Sequence, residues 1–291
     1  MRILVLGVSG MAGHKVYQVF REKDNEVMGV MRGPRVLIRQ YPFIDESTVI
    51  DNVDVRRVED FLAVFLQFRP QVVINCIGIV KPRAIDPAET MLVNSVFPHQ
   101  LARVCSLTGA RLIHISTDCV FSGRTGDYSE ESTPDCTDLY GRSKLLGEVT
   151  EDGHLTIRTS IVGRELGTQR NLTEWFLSQV GVVKGFELAI FTGLTARTLA
   201  NVLLELARRP EISGLLHVAG AKITKFELLC MLKEAFGRDD ASIERYSGFR
   251  CDRSLVADRI KALGIRIPDM EIMVREMAAE NAVYELPPVP G

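Results

Sequence analysis

The chain has 291 residues, 46% hydrophobic and 25% charged, enough to bury a large core in one α/β domain or in a main domain with a smaller lobe. Its net charge of −2 gives no general basic surface for nucleic acid. No apolar run approaches the roughly 20 residues of a membrane span, and the N-terminus lacks the apolar region of a signal peptide. The six cysteines form no C-x-x-C pair, which predicts reduced thiols and no metal site. We therefore expect a soluble, cytoplasmic protein that binds neither nucleic acid nor membrane.

Strands and helices alternate through the first half of the chain. The predicted strands are 3–6, 26–31, 71–76, 111–116 and 155–162. The predicted helices are 10–21, 58–68, 87–107 and 140–150, and Pro98 is expected to kink the third. Such regular alternation predicts a parallel sheet covered by helices on both faces, a doubly wound α/β fold.

After about residue 163 the pattern becomes more helical. Helices are predicted at 172–180, 195–208, 225–236, 253–263 and 270–279. We therefore expect an N-terminal domain over residues 1–162 and a smaller, mainly helical lobe over residues 163–291. The return of some lobe segments to the first domain is left open. The proline-rich end, ELPPVPG, is expected to be a loose tail.

The first predicted strand runs into a glycine-rich turn, Gly7-Val-Ser-Gly10-Met-Ala-Gly13. In dinucleotide-binding folds the first glycine makes a tight turn, the second lets the backbone approach the pyrophosphate, and the third lets the helix pack on the strand. The helix N-terminus offers free N–H groups to the phosphates. The spacing is G-x-x-G-x-x-G, not G-x-G-x-x-G, but its place directly after an N-terminal strand supports a dinucleotide site.

The end of the second strand indicates which dinucleotide binds. It reads VMRGPR over residues 30–35, basic and without an acid. A carboxylate here would bind the ribose hydroxyls of NAD, whereas an arginine can pair with the 2′-phosphate of NADP. NADP is therefore preferred over NAD, with solvated loop charges as the alternative for Arg32 and Arg35. Asp54 and Val55 are expected against the adenine, and an exposed helix-cap Asp54 is the alternative.

Residues 111–118, RLIHISTD, form a predicted buried strand that ends in Ser116, Thr117 and Asp118. Ligands of open parallel sheets lie beyond the carboxyl ends of the strands, so these side chains should lie by the cofactor. The next helix begins near Tyr140, with Lys144 one turn later on the same face. Hydride reduction of a ketone needs a proton donor, a hydroxyl to hold the ketone oxygen, and a cation that lowers the pKa of the tyrosine. A surface tyrosine with a solvated lysine is the alternative.

The sequence resembles the extended short-chain dehydrogenases/reductases. The resemblance is carried by Gly7-x-x-Gly10-x-x-Gly13, Asn75, Ser116-Thr117-Asp118 and Tyr140-x-x-x-Lys144. More narrowly, STDCVFSG, YSEESTP and LYGRSKLLGE are similar to the dTDP-4-dehydrorhamnose reductase group, and the C-terminal stretches are similar to its substrate lobe. The resemblance implies a Rossmann-like domain and NAD(P)H-dependent reduction of the 4-keto group of a nucleotide-linked 6-deoxysugar. The product would be rhamnose or another surface-polysaccharide sugar. It also implies that Thr117 aligns the keto oxygen, Tyr140 donates the proton and Lys144 orients the cofactor ribose.

Two sets of site residues follow from the motifs and the resemblance. The residues expected at the cofactor are Gly7, Ser9, Gly10, Met11, Ala12, Gly13, Arg32, Asp54, Val55, Cys76, Ile77, Gly78, Ser116, Tyr140 and Lys144. The residues expected at the substrate are Lys81, Asp118, Cys119, Arg164, Asn171, Arg197, Arg250 and Arg253. The four arginines are candidates for the diphosphate, because a guanidinium fork suits phosphate oxygens.

Two departures and two alternatives accompany the resemblance. Cys119 stands where the reductase group usually has an aromatic residue, and Ile161 where it usually has a tryptophan, so a related keto-deoxysugar is also considered. One alternative is an epimerase or dehydratase of the same fold, but Thr117 lacks the Asp-Glu pair that dehydratases have after it. The other is a non-catalytic partner of methionine adenosyltransferase, although Tyr140 and Lys144 are both retained. A homodimer is left open.

Overall fold

A seven-stranded sheet, in which all neighbouring strands are parallel, forms the centre of the fold. The structure, a computed structural model, describes residues 1–81, 84, 86–151, 153–169 and 171–284, so the expected tail at 285–291 lies outside the described residues. The strands are β1 (Arg2–Leu6), β2 (Glu26–Val30), β3 (Val49–Ile50), β4 (Val72–Asn75), β5 (Arg111–Ile115), β6 (Leu155–Arg158), β7 (Ile161–Val162), β8 (Gly181–Phe191), β9 (Leu194–Thr195), β10 (Gly214–His217), β11 (Ile223–Thr224) and β12 (Ala241–Asp252). The large sheet has the order β10-β6-β5-β4-β1-β2-β3, which confirms the predicted doubly wound fold.

Both faces of this sheet are covered. Side chains of β1 alternate between two hydrophobic cores, with Ile3 and Val5 in one and Leu4 and Leu6 in the other, because successive strand residues point to opposite faces. The helices are α1 (Met11–Arg21), α2 (Val58–Phe68), α3 (Pro87–Met91), α4 (Phe97–Thr108), α5 (Leu139–Leu146), α6 (Leu172–Leu177), α7 (Ala196–Ala207), α8 (Lys225–Ala235), α9 (Asp258–Ala262) and α10 (Met270–Ala279). Among the described residues, none of these helices has the length and apolar character needed to cross a bilayer.

The third predicted helix is a helical segment of three parts. Helices α3 and α4 are joined by a π-helical turn at Leu92–Val96, called the π-turn below. The kink expected at Pro98 coincides with the change from the π-turn to α4, whose first turn contains this proline. Proline has no N–H to donate, so it removes one hydrogen bond from this continuous helical segment directly after the π-turn.

The C-terminal part of the chain contains more sheet than the sequence pattern predicted. Helices α6, α8 and α10 are present, whereas α9 covers only Asp258–Ala262 of the predicted helix 253–263. Strands β8 and β12 pair in parallel and form a second sheet with β11, in the order β11-β8-β12. The predicted strand 155–162 divides into β6 and β7, and β7 pairs with β9. Strand β10 returns to the large sheet beside β6, and α7 packs against α1. Segments from beyond residue 163 therefore belong to the large sheet and to the helices that cover it, a possibility that the sequence left open.

Glycines shape the turn between β1 and α1. Gly7 has a φ of +87°, a conformation that residues with a side chain rarely adopt. The N–H of Gly10 donates to the carbonyl oxygen of Gly7 at 2.9 Å. A Cβ on Gly13 would lie 2.6 Å from the carbonyl carbon of Gly7 and 3.1 Å from the nitrogen of Val8. Helix α1 therefore packs on the turn at a separation that only glycine permits.

This packing predicts a stability difference between two glycine substitutions. Gly13→Ala should lower the free energy of unfolding by about 1–3 kcal/mol or more, because the added methyl group overlaps backbone that cannot move aside. Gly33→Ala is the matched control, since its Cβ would find the nearest atom, in Leu37, at an ordinary 3.4 Å. Denaturant unfolding measures both. Equal stability of the two variants would contradict the close approach at Gly13.

Candidate active site

Two turns at the carboxyl ends of neighbouring strands lie against each other. A Cβ on Gly7, after β1, would lie 3.1 Å from Cγ1 of Ile77 and 3.3 Å from the carbonyl carbon of Cys76, both after β4. Helix α1 begins here with no side-chain cap and no acid in its first turn, so its N–H groups and positive dipole end are available to an anion. The cofactor residues predicted in these two turns thus come together. They are Gly7, Ser9, Gly10, Met11, Ala12, Gly13, Cys76, Ile77 and Gly78.

Two glycines hold helix α5 close to the end of β5. A Cβ on Gly141 would overlap the carbonyl oxygen of Cys119, and a Cβ on Gly147 would lie 2.9 Å from the carbonyl carbon of Asn94 in the π-turn. Asp138 caps the helix by accepting a hydrogen bond from the N–H of Gly141 at 3.0 Å. The stretch DLYGRSKLLGE therefore contains both the tyrosine and the lysine and the two glycines whose close packing places them.

Thr117 and Tyr140 lie near each other beyond the end of β5. The Thr117 hydroxyl accepts a hydrogen bond from the N–H of Cys119 at 3.1 Å and donates one to Asp118 at 3.2 Å, and it is near enough to the phenol of Tyr140 to act on the pKa of that phenol. Burial raises the pKa of Tyr140, the negative charges of neighbouring groups add to this, and the Thr117 hydroxyl opposes it. This direction is opposite to the lowering expected from the nearby lysine, because burial has the larger effect. The phenol therefore keeps its proton at neutral pH.

Lys144 is buried, with 4% of its surface exposed. Its ammonium donates a hydrogen bond to the carbonyl oxygen of Ile115 at 2.7 Å. Burial lowers the pKa of Lys144 to about 8, while the charges of Glu148 and Cys76 act in the opposite direction. A Cβ on Gly78 would lie 3.9 Å from Nζ, so the lysine lies beside the turn that is predicted to line the cofactor.

The hydroxyl of Ser116, a predicted cofactor residue, has an acceptor within the protein. It donates to Oε1 of Glu148 at 2.7 Å, and Arg158 binds both oxygens of that carboxylate at 2.7 and 2.8 Å. The arginine and the glutamate are both almost fully buried, so the serine completes the hydrogen bonding of an internal ion pair. The predicted contact with the cofactor therefore gains no support from this hydroxyl.

The region predicted to bind the adenosine contains acids and arginines that neutralise one another. Arg32 is exposed and lies 3.4 Å from Glu89. Arg56 binds both oxygens of Asp54 and lies 3.1 Å from the same Glu89. The hydrogen bond from Arg56 is the largest influence on Asp54 and lowers the pKa of that carboxyl to about 2. Val55, which stands between Asp54 and Arg56 in the sequence, has a buried side chain. Arg56 was missed in the sequence, although its place directly after the predicted Asp54-Val55 was an available signal.

Asp118, Cys119 and Arg253, three residues predicted at the substrate, act on one another's pKa values together with a lysine that was not predicted. Burial raises the pKa of Asp118, and the charges of Arg253 and Lys225 oppose this rise. Burial lowers the pKa of Lys225 to about 8, while Asp118 and Cys119 raise it. The Lys225 ammonium lies 3.3 Å from the ring centroid of Phe191. Lys225 begins α8, far along the chain from β5, and no motif marks it.

Two of the predicted diphosphate arginines are bound to carboxylates. Arg164 lies 2.6 Å from Glu174 within the C-terminal part of the chain. Arg197 in α7 binds Glu280 and lies 3.1 Å from Glu22 at the end of α1. These pairs fit a packing role, and a diphosphate would have to compete with the carboxylates for both guanidinium groups.

The remaining predicted substrate residues are placed as follows. Asn171 caps α6 through its side-chain oxygen, and its amide donates to the carbonyl oxygen of Gly163 at 2.8 Å. Lys81 lies 3.0 Å from Asp138, the cap of α5. Arg250 is exposed on β12. Lys81 is therefore connected to the helix that contains Tyr140, while Asn171 is occupied in local structure.

Comparison with known proteins finds relatives of two kinds. Methionine adenosyltransferase 2 subunit beta from Xenopus laevis is 28% identical over 259 residues, which cover 81% of this chain and 72% of the relative. The probable low-salt glycan biosynthesis reductase Agl14 from Haloferax volcanii is 29% identical over 303 residues, covering 98% of this chain and 97% of the relative. Two curated relatives with different described roles thus have similar identity to the chain.

Solved structures share the fold over nearly the whole chain. A hypothetical dTDP-4-dehydrorhamnose reductase from Sulfolobus tokodaii is 27% identical, with a TM-score of 0.75 and coverage of 93% of this chain and 96% of the other. A dTDP-4-dehydrorhamnose reductase from Bacillus anthracis, solved with NADP, is 18% identical, with a TM-score of 0.78 and coverage of 96% and 99%. Residues 1–248 match the family model of the RmlD substrate binding domain, and the chain therefore belongs to that family.

Proposed function

We propose that this protein is an NAD(P)H-dependent reductase of the 4-keto group of a nucleotide-linked 6-deoxysugar, in the synthesis of rhamnose or another surface-polysaccharide sugar. The main support is the position of Tyr140, on a helix that packs against the turn after β5 beside Thr117, with Lys144 buried one helical turn away. Membership of the RmlD substrate binding domain family and the similarity to a probable glycan biosynthesis reductase support the same reaction class.

The residues beyond β1 and β4 fit a dinucleotide. The glycine turn leaves backbone open to a pyrophosphate, and the uncapped N-terminus of α1 supplies N–H groups to it. Arg32 is exposed and its contact with Glu89 is a long 3.4 Å, so it is the arginine there that a 2′-phosphate would pair with, which favours NADP over NAD. The B. anthracis reductase of the same fold was solved with NADP. The bound coenzyme supplies the hydride.

The protein's own groups perform the proton chemistry. The Thr117 hydroxyl holds the keto oxygen next to the phenol of Tyr140, which donates its proton to that oxygen as negative charge develops on it. The raised pKa of Tyr140 keeps this donor protonated at neutral pH. The Lys144 cation lies on the cofactor side, where it binds ribose and stabilises the phenolate that remains after proton transfer.

A second candidate function is regulation of a methionine adenosyltransferase as a non-catalytic subunit. It is favoured by the 28% identity to the beta subunit of such an enzyme. The presence of Thr117, Tyr140 and Lys144 in one site favours the reductase instead, since a purely structural partner needs no buried lysine beside a tyrosine.

Removal of the phenol oxygen tests the reductase. Tyr140→Phe should lower kcat for the reduction of a keto-sugar by about 10²–10⁴-fold, since it removes the proton donor. NADPH affinity should stay within about twofold, because the ring remains and the phenol is not the main coenzyme contact. Stopped-flow oxidation of NADPH and a fluorescence titration measure the two effects. Tyr246→Phe, in the second sheet beside Phe186, is the control. Unchanged turnover in Tyr140→Phe would refute the proposed role.

A substrate panel separates the two candidate functions. The purified protein is incubated with NADPH and nucleotide-linked 4-keto-6-deoxysugars that differ in base and sugar, and NADPH oxidation is followed. We expect turnover with at least one sugar. No turnover with any sugar, together with a stable complex with a methionine adenosyltransferase and a changed KM of that enzyme, would establish the regulatory role instead.

The coenzyme preference depends on Arg32. Arg32→Ala should raise the KM for NADPH roughly tenfold and leave that for NADH nearly unchanged, because a hydrogen bond to a charged group contributes about 1.5–3 kcal/mol and only NADPH has the 2′-phosphate. Arg57→Ala, which removes an exposed arginine 2.6 Å from Asp60, is the control. An equal change for both coenzymes would assign Arg32 to a general surface role.

The pKa of Lys144 predicts the pH dependence. Its lowered pKa of about 8 means that the lysine loses its charge as the pH rises through about 8, while Tyr140 keeps its proton. We expect kcat/KM for reduction to be level near pH 7 and to fall above about pH 8. In Lys144→Arg this fall should disappear, since arginine stays charged, and the absolute rate should be lower.

Lys225→Arg is the control, because Lys225 also has a pKa of about 8. Loss of the fall in that variant alone would assign the titration to Lys225.

A further inference from the structure

His114 lies in the centre of the large sheet and connects two residues of the site. It is fully buried in β5 and is the register partner of Asn75 in β4. Its Nδ1 lies 3.0 Å from Nδ2 of Asn75, and its Nε2 lies 3.3 Å from Nζ of Lys144. The imidazole therefore stands between a strand-end amide and the lysine of the catalytic helix.

The contacts of Asn75 determine how its amide is oriented. Its Oδ1 accepts a hydrogen bond from the N–H of Ile77 at 3.1 Å, so Nδ2 is the atom that faces His114. An amide nitrogen only donates hydrogen bonds, so Nδ1 of His114 must accept. The proton of the neutral imidazole is then on Nε2, the nitrogen that faces Lys144.

The doubly protonated, charged form of His114 is not an alternative to this neutral tautomer. Burial lowers the pKa of His114 well below its usual value, and the charges of Lys144 and His99 lower it further. The imidazole is thus neutral, with one N–H. That N–H and the ammonium of Lys144 are both donors, so the 3.3 Å contact between their nitrogens is not a favourable hydrogen bond while the lysine is charged.

We propose that Asn75 holds His114 in the neutral tautomer with its proton on Nε2, and that His114 is a positioning residue for Lys144 because it presents an N–H instead of an acceptor. This inference rests on the proposed function, whose reaction uses Lys144. The ammonium keeps the carbonyl oxygen of Ile115 as its acceptor at 2.7 Å. The ammonium also lies beside the predicted cofactor turn, because a Cβ on Gly78 would be 3.9 Å from Nζ.

The same arrangement makes the lysine easy to deprotonate. Besides His114, the titratable groups whose charges act on Lys144 are Glu148 and Cys76, and both favour the ammonium. The His114 N–H and burial oppose them. A change that presents an imidazole lone pair to Lys144 should therefore strengthen the ammonium form and move its titration to higher pH.

The tautomer can be measured in the wild-type protein without any substrate. With imidazole-¹⁵N labelling, the ¹⁵N shifts of the five histidines distinguish protonated from unprotonated ring nitrogens. The His114 signals are assigned by their loss in His114→Gln. We expect an unprotonated Nδ1 and a protonated Nε2 that do not change between about pH 6 and pH 8. A protonated Nδ1 would overturn the inference.

A substitution of nearly equal shape reverses the tautomer. In Asn75→Asp, Oδ1 still accepts from Ile77, and the second oxygen requires a proton on Nδ1 of His114. Nε2 then offers its lone pair to Lys144. We expect the ¹⁵N pattern to invert and the lysine ¹³Cε titration of Lys144 to move up by about one pH unit or more. The alkaline fall of kcat/KM should move with it.

A further variant separates the tautomer from the added charge. Asn75→Asp combined with His114→Phe keeps the new carboxylate without the imidazole and should give a smaller shift than Asn75→Asp alone. An equal shift in this double variant would overturn the inference.

The outcomes for this inference and for the proposed function are distinct. If no keto-sugar is reduced, the proposed reductase fails, while the ¹⁵N and ¹³C measurements still decide the tautomer. If Tyr140→Phe abolishes turnover but Nδ1 of His114 is protonated in the wild type, the reductase stands and the role of His114 is refuted.

Discussion

The close approach of α5 to the end of β5 and to the π-turn is the constraint on which the site depends. Gly141 and Gly147 let the helix backbone reach the main chain of Cys119 and Asn94, where a Cβ would overlap. This separation keeps Tyr140 near Thr117 and lets the ammonium of Lys144, in the same helix, donate to a carbonyl oxygen of β5. A helix displaced by the thickness of one methyl group would lose this hydrogen bond of the lysine.

The π-turn connects the predicted cofactor segment to helix α5. The side chain of Asn94 accepts a hydrogen bond from the N–H of Ile79 at 2.7 Å and donates to its carbonyl oxygen at 2.9 Å. It also donates to the hydroxyl of Ser143 in α5 at 3.0 Å, and Ser95 donates to the Ser143 carbonyl oxygen at 2.8 Å. π-helical turns occur often at functional sites. Here the turn places one amide between two segments, so they hold each other in position.

Charge is neutralised where it supports packing, whereas two buried lysines at the proposed site have no ion pair. Arg158 with Glu148 and Arg164 with Glu174 are buried pairs that bind through hydrogen bonds. Lys144 and Lys225, by contrast, form no salt bridge with any described residue, and burial lowers the pKa of each to about 8. Cations that are costly to bury and lack a carboxylate partner are typical of sites that hold a ligand or move a proton.

The sequence by itself determined the parallel sheet, helices such as Val58–Phe68 and Met270–Ala279, and the glycine turn, because these follow from local periodicity and backbone conformation. It also marked Tyr140 and Lys144, whose spacing is local. Only the tertiary structure decided the pairing of Gly181–Phe191 with Ala241–Asp252, since strands far apart in sequence contribute no local signal. It likewise decided which charges are neutralised, as at Arg197, and which way His114 presents its proton. Those properties depend on distances between segments that meet only in the folded chain.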